Sequence, residues 1–431
     1  MHRPTLTELT RAFARIGCLS FGGPAGQIAL MQRELVEERG WVEQGAFLRA
    51  LNLCHLLPGP EAQQLATWIG WRLHGVRGGL IAGMLFVLPG AVVMLGLSLL
   101  YVAAAGLAWF AALFLGVKAA VLAVVLQALK RVAGRALGTR FKIVLAVLAA
   151  LALTVPQAPF PLVILGAGLI GAAAAKWSPH WLGTHQGATS GSPLEAPHRL
   201  IALTAQTICL WLAIWGLPLA LVFVMLGPDH VLWQIGLFFS RLAIVTFGGA
   251  YAVLAYMAQA AISGFGWLSP GEMADGLGLA ETTPGPLIMV TQFVGFIAAW
   301  RHPGGLSPLL AGLLGAGITT WVTFAPCFLW IFACAPWMER LERAERLQGA
   351  LAAITAAVVG VIANLALWFA LHVLFMRVSD AGLPDFASLD WQAALIAAEA
   401  GVLVFGLKRG IAPTIAICAA TGLALSLLPL R

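Results

Sequence analysis

Two tripeptides, Pro58-Gly59-Pro60 and Pro284-Gly285-Pro286, are related by a sequence offset of 226. The same offset relates Arg15 to Arg241 and the glycine pair Gly22-Gly23 to Gly248-Gly249. None of these residues is a ready nucleophile or general base. They suit the binding of an anion. A helix restarted after a Pro-Gly-Pro break presents free N–H groups and roughly +0.5 of an elementary charge from its macrodipole. Pro60 and Pro286 fit the first helical position, where no donor is required. The glycine pairs let further backbone amides approach a ligand closely. Arginine adds a permanent charge whose planar fork matches a tetrahedral oxyanion. Two such ends, brought together by a pseudo-two-fold axis, would make a site for a dianion. Its candidate residues are Arg15, Gly22, Gly23, Pro58, Gly59, Pro60, Arg241, Gly248, Gly249, Pro284, Gly285 and Pro286. The two arginines would equally suit snorkelling to the cytoplasmic interface.

Other matched positions carry charge as well. Arg49 aligns with Asp275, and His55 with Glu281. Residues related by a pseudo-two-fold axis can meet across it, so each pair is a candidate salt bridge between repeats. Alternatively the group carries a coupling proton, His55 and Glu281 each lying three positions before a Pro-Gly-Pro. Histidine is the side chain that titrates near neutral pH. Lys118, in an apolar run, has no counterpart and ranks below these. Glu61 directly follows Pro60 and would compete with an anion for the helix end; Leu287 stands opposite, which makes the second break the emptier end.

The elements that must position these residues are membrane helices. Hydrophobic residues make up 60 % of the 431 and charged residues 10 %, against about a quarter charged in a soluble globular chain. Apolar runs of roughly 20 residues, long enough to cross a bilayer, recur along the whole length. About thirteen are expected: six in 1–176, one in 200–230 and six in 231–431, with a polar linker at 177–199. The segment from Met1 to Ser20 lacks a signal-peptide core followed by a cleavage site, so a retained, cytoplasmic N-terminus is expected. In that orientation sixteen of the 25 Lys and Arg fall on the cytoplasmic side and five outside, the bias that the positive-inside rule requires. The net charge of +7 therefore orients the chain, and no nucleic-acid partner is expected.

From position 15 to position 80, 17 of the 66 side chains recur at the offset of 226 without a gap, including Gly40-Trp41 at Gly266-Trp267. The chain thus reads as two copies of one unit. One extra crossing between two six-span units turns the second upside down. The expected fold is an all-α polytopic membrane protein of two inverted-topology repeats with Pro/Gly-broken helices, the architecture of secondary transporters. The six cysteines are scattered and form no CxxC pair, so neither a disulfide framework nor a metal site is indicated, and no cofactor is expected. Gly166-Ala167-Gly168-Leu169-Ile170-Gly171 is a literal GxGxxG, which raises a membrane reductase as a remote alternative. A polar linker follows it where a second strand is needed, and a glycine face for close helix packing is the better account.

The stretch "LSFGGPAGQIALMQRELVEERGWVEQGAFLRALNLCHLLPGPEAQQ", with its weaker copy "VTFGGAYAVLAYM…GWLSPGEMADGLGLAETTPGPLIMVTQF", resembles the signature region of the chromate ion transporter family. The resemblance implies an exporter of chromate in the bacterial inner membrane, conferring chromate resistance, with two homologous halves of opposite orientation. The family also has single-half members that work as pairs. Sulfate or another tetrahedral oxyanion is the alternative substrate. The expected partners are the oxyanion, the lipid bilayer and a second copy of the chain. The N-terminus is expected in the cytoplasm and the C-terminus outside. In the second copy Ala250 replaces Pro24 and Leu287 to Val290 replace Glu61 to Gln64, so the halves are not expected to contribute equally.

Overall fold

The computed structural model describes residues 3–21, 23–104, 106–154, 158–182, 198–247, 250–342, 344–379 and 383–427. Among these the regular elements are helical, and β structure is confined to two isolated bridges, Phe375 to Leu389 and Val378 to Pro384. The first half holds α1 (Leu6–Leu19), α2 (Gly23–Gln32), α3 (Gln44–Leu56), α4 (Glu61–Ala104), α5 (Ala108–Ala136), α6 (Arg140–Thr154) and α7 (Phe160–Trp177). A long helix, α8 (His198–Leu226), stands between the halves. The second half holds α9 (Val231–Val245), α10 (Ala250–Gln259), α11 (Pro270–Thr282), α12 (Val290–Arg301), α13 (Pro308–Cys334), α14 (Met338–Glu342), α15 (Glu345–Leu374), α16 (Trp391–Gly401) and α17 (Ile411–Leu427). Six helices, α4, α5, α7, α8, α13 and α15, are long and apolar enough to cross a bilayer by length and composition.

Local sequence explains where the helices begin and end. Thr5 with Glu8 opens α1, and Ser269 with Glu272 opens α11; both are complete capping boxes, which satisfy two orphan N–H groups reciprocally. Both α2 and α10 run into a π turn, at Arg33–Glu38 and Ala260–Gly264. Each turn is closed by the Gly-Trp motif: the Trp41 amide donates to the Leu35 carbonyl (2.9 Å) and the Trp267 amide to the Ala261 carbonyl (2.8 Å). The elements thus recur with the offset found in the sequence.

From sequence, the windows 12–32 and 271–299 count as crossings, with a re-entrant course left open for 12–32 and its counterpart 231–261. The structure shows helix pairs that fold back at their breaks. Arg15 on α1 and Glu34 beyond α2 form an ion pair at 3.5 Å, although a straight helix would separate them by roughly 28 Å at 1.5 Å per residue. Glu272 at the start of α11 likewise pairs with Arg301 at the end of α12, and a Cβ on Gly276 would meet the Phe293 ring at 2.5 Å. Pro284-Gly285-Pro286 is therefore the tip of a hairpin. Its arms have 13 and 12 residues, roughly 20 and 18 Å, short of a hydrocarbon core of about 30 Å. The helix α4 bends sharply too: His74 and Gly75 leave helical geometry, and its parts fold back with Gly70 on Gly78 and Gly83 on Thr67. In the second half Gly295 and Gly315 pack α12 onto α13 in the same way. Small residues let the backbones approach.

The halves are interleaved. Helix α5 packs along α16 and α17, while its counterpart α15 packs along α6 and α7. Gly168 and Gly171 of the GxGxxG stretch face Ile354, Gly349 and Ala353 of α15. That motif is a helix–helix seam.

Candidate functional site

The two Pro-Gly-Pro tips lie buried in the centre, and each is bonded to the other half. The Gly59 amide donates to the Thr246 carbonyl (2.8 Å), and the Gly285 amide donates to the Ser20 carbonyl (2.9 Å). Thr246 and Ser20 are themselves related by the offset of 226, so one bond is made twice, in opposite senses. Ser20 and Thr246 end α1 and α9 at the other pair of breaks. Gly59 and Gly285 have φ of 115° and 88°, a region that side chains with a Cβ rarely enter. The Gln27 side-chain amide donates to the Gly285 carbonyl at 2.6 Å.

The long helices floor this crossing. A Cβ on Gly90 would lie 2.5 Å from the Pro284 carbonyl oxygen, and a Cβ on Gly59 would lie 3.0 Å from the Cys327 sulfur. Gly90 follows Pro89 inside α4, and Cys327 follows Pro326 inside α13. Each tip therefore packs beside an in-helix proline of the opposite half. This second correspondence has an offset of 237, eleven longer than the first, and so is invisible to an ungapped comparison.

The expected cradle of bare tip amides is corrected by this geometry. Proline supplies no N–H, and the amides of Gly59 and Gly285 are consumed between the halves. Pro60 and Pro286 stand one position before their helical segments, not at the first helical position. Gly23 is half-buried; Gly22, Gly248 and Gly249 lie outside the described residues. The second break is not the emptier end: Leu287, Ile288 and Met289 form a tight 3-10 turn, at most 3 % exposed. At the first break the corresponding positions carry Glu61, Ala62 and Gln63, followed by Gln64. The Gln64 amide donates to the Pro58 carbonyl at 2.7 Å, and both side-chain atoms of the fully buried Gln63 lack a hydrogen-bond partner among the described residues.

The charged candidates are dispersed. Arg15 and Arg241 both face outward, and Arg15 shares Glu34 with Arg39. Arg49 and His55 are exposed on α3, and Glu281 is buried on α11. The expected Arg49–Asp275 pair does not form. Asp275 is held instead by Lys118 at 3.1 Å and by the Tyr101 hydroxyl, which donates at 2.7 Å. Lys118 reaches it from α5, so an ion pair does join the halves, through the lower-ranked candidate that has no counterpart in the other half. An ammonium in an apolar run requires a counter-charge, and that was the available signal.

A family model described as chromate transporter matches residues 7–172 and again 233–424, so the starts of the two segments share the offset of the tripeptides. A chromate transport protein of Pseudomonas aeruginosa is 33 % identical over 82 % of this chain and 79 % of its own length. A probable chromate transport protein of Synechococcus elongatus is 30 % identical over 84 % and 83 %. A chromate transport protein of Cupriavidus metallidurans is 28 % identical over 83 % and 81 %. No solved structure gives a significant match.

Proposed function

The chain belongs to the chromate transporter family, and on that premise we propose that it is a secondary transporter exporting chromate across the bacterial inner membrane. The observation that carries the proposal is the reciprocal bonding of the two tips, Gly59 to Thr246 and Gly285 to Ser20. Non-helical backbone at membrane depth is tolerated where it is buried in protein or lines a cavity, and discontinuous helices at a repeat interface are where such carriers hold substrate. Rocking one half against the other would break one pair of contacts and keep the neighbours.

The halves, 1–176 and 231–431, are inverted repeats on this proposal, with α8 as the crossing that inverts the second. The N-terminus lies in the cytoplasm and the C-terminus outside. Nine helical segments cross: the second part of α4, then α5, α6, α7, α8, α13, α15, α16 with its π turn, and α17. The tips and breaks, including Gly22, Gly23, Gly248 and Gly249, line the substrate path, and Arg15 and Arg241 serve its approaches. An inside-negative potential favours exit of a dianion by about 4.6 kcal/mol per 100 mV, so export needs no coupling ion, and chromate resistance would follow from it. Asp275 and Glu281, both buried on α11, are the carboxyls we would assign to a proton if one is coupled.

Chromate uptake into everted membrane vesicles, energised and not, tests the function. Energised uptake that excess sulfate blocks only weakly supports export of chromate. Uptake of sulfate in its place moves the assignment to another tetrahedral oxyanion, and no uptake above control vesicles refutes both.

A further inference from the structure

We propose that the oxyanion is held at the start of α4, by the first-turn amides of that helix with Gln63 and Thr323; this rests on the transport proposal above. The helices α1 and α11 begin with complete capping boxes. Helix α4 begins at Glu61 behind Pro60, which has no side-chain acceptor. The Gln64 backbone N–H closes the first turn on the Pro60 carbonyl (3.1 Å), leaving the N–H groups of Glu61, Ala62 and Gln63 without an intrahelical acceptor.

A second, independent observation marks the same end. Gln63 is 0 % exposed and both polar atoms of its amide are partnerless among the described residues. At the third position of a helix such a side chain reaches back over the helix end toward the N–H of the cap residue. Here the cap residue is a proline, so the reach meets no donor. The Thr323 hydroxyl, a donor, is also buried and partnerless among the described residues. Thr323 lies one turn before Cys327 on α13, and the Cys327 sulfur abuts the place of a Cβ on Gly59. Partnerless buried polar groups are rare and costly. An amide N–H₂, a hydroxyl and three backbone N–H groups are the donor set that a tetrahedral oxyanion requires. The second break, with Leu287 to Met289 packed tight, offers no such set.

Two features oppose the anion: the buried acceptor Oε1 of Gln64 and the half-buried carboxyl of Glu61 at the same helix end. The carboxyl supplies a test with a sign. Chromate binding to the purified full-length protein in nanodiscs is measured by equilibrium dialysis, with sulfate as competitor. Gln63→Met is expected to weaken chromate binding at least tenfold, and Thr323→Val severalfold, with the apparent Tm unchanged or raised, because a partnerless polar group has been replaced by an apolar one. Glu61→Gln is expected to tighten binding severalfold. A solely structural Gln63 would instead lower the Tm and leave binding of the folded fraction intact, which overturns the proposal. Chromate binding as in the wild type by Gln63→Met and Thr323→Val, with loss confined to Arg15→Gln or Arg241→Gln, also overturns it while sparing the transport proposal. A wild-type protein that binds neither chromate nor sulfate overturns both.

Discussion

Removal of Lys118 is the most telling perturbation of the interface between the halves. Asp275 keeps 6 % of its side chain exposed and Lys118 25 %, and they meet at 3.1 Å across two helices from different halves. Lys118→Met would leave the carboxylate buried with the Tyr101 hydroxyl as its remaining close partner. Breaking a buried pair by deleting one member costs about 3–5 kcal/mol, because the survivor is an uncompensated charge. Asp275→Asn should cost less, since Lys118 retains a quarter of its surface and a long stem can carry its ammonium toward water. Removing both charges, Lys118→Met with Asp275→Asn, should recover most of the loss. The coupling energy of that cycle should be on the order of 2 kcal/mol. Reversible unfolding of the purified protein in mixed micelles gives the four free energies, and vesicle uptake runs in parallel. Strictly additive single effects would refute the pairing. By contrast Arg49→Gln, at an exposed position on α3, should fall within about 0.5 kcal/mol.

Two further predictions concern the tips and the membrane sidedness. Gly90→Ala places a Cβ 2.5 Å from the Pro284 carbonyl oxygen, and overpacking of this kind costs about 1–3 kcal/mol; transport should fall steeply, whereas Gly96→Ala on the same helix, with open space around it, should leave uptake and Tm unchanged. Equal effects of the two would remove the tip contact from the mechanism. In a cysteine-free background, Glu43→Cys should be labelled only from the cytoplasm and Phe265→Cys only from outside; the opposite pattern would restore thirteen crossings.

Much of this was legible from composition and from the repeat. The apolar runs announced an all-helical membrane fold, and the echo of Pro-Gly-Pro at the offset of 226 located the two buried tips that are bonded across the halves. Direction was not legible. A hydropathy window adds apolar residues irrespective of whether the chain continues or turns back, so 271–299 reads as one span even though Glu272 and Arg301 close its ends together. Pairing across the halves was hidden for a related reason. Equivalent positions were expected to meet each other, but α5 docks on α16 and α17 and α15 on α6 and α7, which delivers Lys118 to Asp275 and keeps Arg49 on the outside. Gln63 and Gln64 showed in sequence only as a difference from Met289 and Val290; their burial without partners needed coordinates.

Folding back also bears on the inversion itself. Counting 12–32, 47–71, 231–261 and 271–299 as crossings gives six per half; letting only 47–71 and 271–299 fold back would leave five. Five crossings plus α8 would return the second half to the orientation of the first, and the family likeness between the halves would then be parallel. Ion pairs spanning the breaks at both 12–32 and 271–299 argue that the windows of each half fold back together. On the proposed topology four crossings would then remain per half, α8 would invert the second, and every loop after α4 would keep its side. Arg33 and Arg39 would move to the cytoplasm, with Arg15 and Arg49 on the same side, and Arg241, Arg301, Arg377 and Arg431 would be the external basic residues. The charge bias would thus sharpen when two crossings are removed from each half, as the positive-inside rule would have it, which favours the proposed inverted repeat with hairpin tips in place of broken spans.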